Sequence, residues 1–253
     1  LLTDLKKLNL LIQFCNRIKS LDQTERAYNL VQTYWGPNRP LASAEVLKTD
    51  VGSRLFRSVV EVNPEICADS LSKTLQDFDF DGIRSEIKNG SRRNLVWSLE
   101  KLAFRKETFD QAALSLAKLA VAENENYGNN ATNQFRQLFR IELPGTETDF
   151  QQRLTILKKL KDNNDYHKTL LKALESGFGH RYFTRMANAD KQGTKILHDY
   201  NPGSPDEVFR YWNSLVDIWL EITKNESITG KILFKPIETA IRTLLNYKIC
   251  NQT

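Results

Sequence analysis

Methionine is almost missing from this chain: Met186 is the only one, and the sequence opens Leu1-Leu2-Thr3-Asp4. That opening carries the expectation of a fragment of a larger multidomain protein. Glycine and proline are sparse, at 11 and 7 in 253 residues. So little punctuation suits long helices joined by short turns. No apolar run approaches the roughly 18 residues that span a bilayer. Lys6-Lys7 lie inside the first apolar pattern and not ahead of an apolar core, so the expectation is that this opening is not a signal peptide. Cysteine is limited to Cys15, Cys67 and Cys250, each on or beside an apolar helical face. Buried free thiols in a reducing cytoplasm follow.

Catalytic signatures are also lacking. His167, His180 and His198 fall in three separate segments, and none has a second ligand at metal spacing. There is no phosphate-binding glycine loop, no G-x-G-x-x-G and no G-x-S-x-G. Asp77, Asp79, Asp81 and Gly82 imitate the start of a calcium loop, but the twelfth position is Lys88, not glutamate. The expectation is no metal, no cofactor and no catalytic residue. The sequons at Asn89, Asn130, Asn225 and Asn251 occur at about chance frequency and carry no weight.

What is present is helical periodicity. Leu5, Leu8, Ile12, Cys15 and Ile18 form one stripe; Ala27, Leu30, Val31, Tyr34 and Trp35 form the next. Spacings of 3, 4 and 7 put each set on one side of a helix. Further stripes run through Leu55–Val60, Cys67–Leu75, Leu95–Leu102, Phe109–Ala120, Phe135–Phe139, Phe150–Leu160, Tyr166–Leu174, Phe209–Trp219 and Leu233–Leu244. Thr108-Phe109-Asp110-Gln111 reads as a capping box. Ser204-Pro205-Asp206-Glu207 reads as a helix start, with serine as the cap. No comparable run alternates with period two, so sheet is not expected. The pattern predicts an all-α fold of about eleven helices, stacked as irregular HEAT/TPR-like pairs. A compact bundle is the alternative. A repeat domain over 1–180, a loop or boundary over 181–203 and a C-terminal helical hairpin over 204–253 complete the expected organisation.

Charge is concentrated. From Gln152 to Tyr200 ten basic residues face five acids, which accounts for the whole net charge of +5. Such an excess is a solvated face or a binding patch. Arg181 and Arg185, beside Tyr182 and Phe183, are its candidates for nucleic acid.

Two constellations remain. Arg92 and Arg93 open a helix, where cations oppose the macrodipole. They either pair with the Asp77–Asp81 turn or bind a phosphate or acidic partner. The loop from Glu123 to Asn130 is rich in asparagine, which caps helices and tolerates left-handed turns. It is either structural or a recognition loop presenting Asn124, Asn126, Asn129 and Asn130.

Through Arg92-Arg93, Trp97, Glu100-Lys101, Phe104, Thr108-Phe109, Ala112-Ala113, Ala122-Glu123-Asn124-Glu125 and Asn129-Asn130-Ala131-Thr132, the chain resembles a helical region of large bacterial proteins. Those proteins carry STAND-type or related P-loop NTPase modules, and some resemble anti-phage defence sensors. The resemblance covers roughly 50–160. It implies a cytoplasmic sensor or scaffold region that binds a protein partner or a neighbouring domain, with no active site of its own. Nucleic-acid binding through 152–200 is the alternative.

Overall fold

The computed structural model describes residues 4–20, 25–178, 189–193 and 195–224, with Glu238 and Arg242 beyond them. Twelve α-helices, two short 3₁₀ helices and one two-stranded hairpin account for the regular structure of these residues. The first helices are α1 (Asp4–Ser20), α2 (Glu25–Trp35), the short α3 (Ala44–Leu47), α4 (Asp50–Val59) and α5 (Pro64–Gln76). They are followed by α6 (Phe80–Glu86), α7 (Asn89–Phe104), α8 (Phe109–Val121) and α9 (Ala131–Gln137). The last are α10 (Phe150–Leu160), α11 (His167–Phe178) and α12 (Pro205–Lys224).

Two layers form. α1, α4 and α7 pack side by side in one; α2, α5 and α8 do so in the other. α2, α4 and α5 each bury one stripe and leave the opposite face to solvent, whereas α7 and α8 are covered nearly all round, so the layers share a single core. Phe56, Leu71, Leu95, Leu99, Phe109 and Leu116 are fully buried where the layers meet. Alanines 112, 113 and 117, also fully buried, let α8 sit close to α7. Beyond α8 the regular alternation ends. α9 packs across α8 and α11, and α12 closes the stack against α10 and α11.

Helix starts follow local chemistry. Thr49, Asn63, Asp79, Asn130 and Asp149 each accept a backbone N–H of the first turn, and Pro64 opens α5 behind its asparagine cap. The capping box at Thr108 does not form. The buried Thr108 hydroxyl instead donates to Leu102 O at 2.6 Å, and Gln111 donates to Asp69. Asn89, with φ of 56°, turns the chain into α7. The core face of α12 is Tyr211, Trp212, Leu215, Ile218 and Ile222. Of the expected stripe Phe209, Trp212, Val216 and Trp219, Trp212 is buried and the other three are half-buried. Tyr211 donating to Phe139 O and Trp212 donating to Gly177 O set that rotation.

Sheet was not expected, yet β1 (Ala189–Gln192) and β2 (Lys195–His198) pair antiparallel, with Gln192 opposite Lys195. Four-residue strands are too short for alternation to show: along β2 only Leu197 is buried. This part of the expected boundary is docked. Gln192 accepts from Arg105 Nε at 2.8 Å and donates to Lys101 O at 2.8 Å. Gly193 N donates to Glu61, and Tyr200 N to Thr146 O. Residues 181–188, and 225–253 apart from Glu238 and Arg242, lie outside the described residues. So do the expected second helix of the C-terminal hairpin, Arg181, Arg185, His180 and Cys250. No described helix is long and apolar enough to cross a membrane.

Candidate functional site: a pinned loop between two clefts

α8 ends at Val121, and the chain must cross to α9 at Ala131 without helical hydrogen bonds. Glu123 makes that crossing rigid. Its Oε1 accepts the backbone N–H of Asn124 and of Glu125, each at 3.1 Å. Its Oε2 accepts from Thr132 N at 3.3 Å, in the first turn of α9. The carboxylate thus satisfies both ends of the loop. Its charge is met by Arg92, whose Nε lies 3.1 Å from Oε1.

Arg92 is fully buried. Its other two nitrogens donate to carbonyls, Nη1 to Ile87 O at 3.3 Å and Nη2 to Leu119 O at 2.6 Å. A buried guanidinium is tolerated only when paired and hydrogen-bonded. Arg92 meets both conditions by joining the start of α7, the end of α8 and the loop. It does not pair with the acidic turn upstream; Asp81 pairs with Arg84, and Asp79 caps α6. The guanidinium of Arg92 therefore reaches no surface at which a partner could meet it. Arg93 is exposed, with its guanidinium 5.3 Å above the ring of Tyr127.

The asparagines divide into two roles. Asn130 is buried, caps α9 through Asn133 N and donates to Glu125 O at 2.9 Å. Asn124 is exposed but spends its amide on Arg84 O at 2.8 Å. Asn126 and Asn129 are exposed. Glu125 accepts from Asn89 N, which ties the loop to the start of α7 as well.

A cleft opens on either side of the loop. The first, about 380 Å³, lies between the α8 end, α9 and α11. Glu123 and Asn130 form its wall, and Arg136, Lys168 and Lys172 line it. The second, about 460 Å³, lies between α1, α4 and α7 with Asn129 at its edge. Inside it the Arg57 guanidinium stacks 4.2 Å over the Trp97 ring. Burial and the neighbouring Arg54 hold the Arg57 side chain below its ordinary pKa, against the pull of Glu100 and Glu61. Sequence reasoning named Lys168 and Lys172 only among the ten basic residues of 152–200, and did not single out Arg57 or Arg136. The Lys168/Lys172 spacing of four was the available signal, since it puts both cations on one helical face.

Among the described residues no group of three His, Cys, Asp or Glu could hold a metal ion. His167 is buried, with Nε2 2.7 Å from Lys161 O. No protein family, curated protein or solved structure matches the chain.

Proposed function

We propose that the chain is a non-catalytic helical module that binds a protein partner at the loop edge, as a sensor or scaffold within a larger protein. The observation that carries this reading is the pinning of the 122–130 loop. Glu123 and Arg92 fix its backbone from below, while Asn126 and Asn129 remain exposed above. Exposed polar side chains on a pre-ordered loop bind with little further loss of conformational freedom. The two flanking clefts are open, and the first is mainly polar, unlike the enclosed, apolar pockets that hold small substrates. The resemblance to helical regions of STAND-type bacterial proteins favours a sensor role, with any nucleotide chemistry carried elsewhere.

The test changes the edge without touching its support. Asn126→Ala with Asn129→Ala removes two exposed amides and should leave the melting temperature within about 1 °C, as surface changes usually do. The double variant should abolish the activity of the full-length protein in cells and its recovery of a bound protein. Full activity and unchanged recovery would overturn the reading.

A further inference from the structure

We infer that the cleft beside the loop takes an acidic segment of the protein partner, held by Arg136, Lys168 and Lys172. The inference rests on the partner-binding reading above and names the chemistry of that partner.

Arg136 projects from α9, and Lys168 and Lys172 stand one turn apart on α11; all three line the same cleft. None of them makes an ion pair or side-chain hydrogen bond among the described residues. Lys48, Arg84, Lys159 and Lys161, by contrast, each pair with an acid. Two carboxylates also line the cleft. Glu123 already accepts from Arg92 and three backbone amides, so its charge is spent. Asp165 stands exposed at the rim. The cleft therefore keeps a net positive charge, three cations against the one carboxylate of Asp165, and such a field attracts and orients an anionic partner. Arg140, one turn beyond Arg136 on the chain, is held below its ordinary pKa by burial and by Arg136, in keeping with that field.

The surroundings favour a peptide over nucleic acid. No aromatic side chain lines the cleft, so bases have no stacking platform there. Its neighbour, about 510 Å³, shares Val121, Asp165 and Lys168 with it and is further lined by Asp79, Asp81, Phe80 and Arg84, which pairs with Asp81. A phosphate backbone carries charge of one sign at every step and would run from favourable cations into a cleft where three acids, Asp79, Asp81 and Asp165, outnumber the cations Arg84 and Lys168. A peptide can change sign along its length. An acidic stretch over Arg136, Lys168 and Lys172, followed by a basic or apolar residue near Asp79, Asp81 and Phe80, matches both clefts.

The probe is a fluorescent ten-residue peptide of alternating Glu and Gly, titrated by anisotropy at 150 mM salt against the whole chain. Inorganic polyphosphate and a 20-base-pair duplex are run beside it. Lys168→Glu with Lys172→Glu, and separately Arg136→Gln, should weaken peptide binding at least tenfold. Lys191→Glu with Lys195→Glu carries the same charge change on the exposed hairpin and should leave binding within twofold. Equal losses from both double variants would show non-specific attraction and overturn the inference. Absence of peptide binding, or tighter binding of duplex or polyphosphate than of peptide, would overturn it as well. Partner recovery is read on the same variants. If it depends on Asn126 and Asn129 but is indifferent to Lys168 and Lys172, the charge assignment fails and the loop reading stands. If it is indifferent to all four, the loop reading itself fails.

Discussion

Arg92 Nε and Glu123 Oε1 lie 3.1 Å apart, thirty-one residues distant in sequence, and together they hold the start of α7, the end of α8 and the loop that follows. The arginine is fully buried, and the glutamate side chain is 14% exposed. Removing either partner therefore leaves the other short of its complement in a nearly dry site.

Glu123→Ala should cost about 3–5 kcal/mol, because it strands the Arg92 charge and frees three amides at once. Arg92→Ala should cost a similar amount. Arg93→Ala, at the exposed neighbouring position, should cost under about 0.5 kcal/mol. Denaturant unfolding of the three variants checks this order.

Gly52 sits on the inner side of α4, where an added Cβ would lie 2.1 Å from the carbonyl oxygen of Val46. That atom belongs to the backbone and cannot swing aside. Gly52→Ala should thus destabilise by about 1–3 kcal/mol, although alanine is the better helix former in isolation. A variant of unchanged or raised stability would place α3 wrongly against α4.

How far the sequence foretold this molecule depends on the kind of signal. Stripes such as Phe109, Ala112, Ala113 and Leu116 predicted buried faces because burial and the helical period reinforce each other over many residues. The place of Arg92 was not legible. An arginine in a first turn reads as exposed, and only the approach of the α8 end supplies Leu119 O and Glu123. Thr108 shows the reverse failure. Its local pattern fits a cap, but burial gives its hydroxyl a different partner in Leu102 O. Of the asparagines, sequence could not separate the internal Asn130 from the exposed Asn126 and Asn129, since any of them suits a cap or a turn. The clefts arise from helices far apart in sequence, so only the Lys168/Lys172 spacing hinted at one of them.

Gln192 fastens the hairpin by accepting from Arg105 and donating to Lys101 O, both within the packed segment. Gln192→Ala leaves the buried Arg105 short of a partner and should cost about 1–3 kcal/mol. Proteolysis within 181–203 should accelerate alongside. Unchanged stability and cleavage would show that the hairpin contributes nothing to the fold.

Burial pushes the Cys67 thiol well above its ordinary value of 9.0, and burial likewise raises Cys15. Both thiols should react with a maleimide only as fast as the surrounding helices open. The pH dependence has a defined sign. A folded value raised above the unfolded one gives stability that is complete below pH 9 and is lost as pH climbs from 9 toward the folded values. The slope reaches at most about 1.4 kcal/mol per pH unit for each thiol. Cys67→Ala should reduce the alkaline loss while lowering stability at pH 7; an unaltered alkaline slope would contradict the assignment.

The most direct test of the account is amide hydrogen exchange across 122–133, because the partner-binding reading requires this loop to be pinned before any partner arrives. The amides of Asn124, Glu125 and Thr132 all donate to the Glu123 carboxylate. They should exchange slowly in the free protein, and Glu123→Gln should speed them by about tenfold, the equivalent of a hydrogen bond weakened by about 1.4 kcal/mol. Exchange of these amides at the rate of an unstructured peptide in the unaltered chain would contradict the pinned loop and the recognition edge built on it.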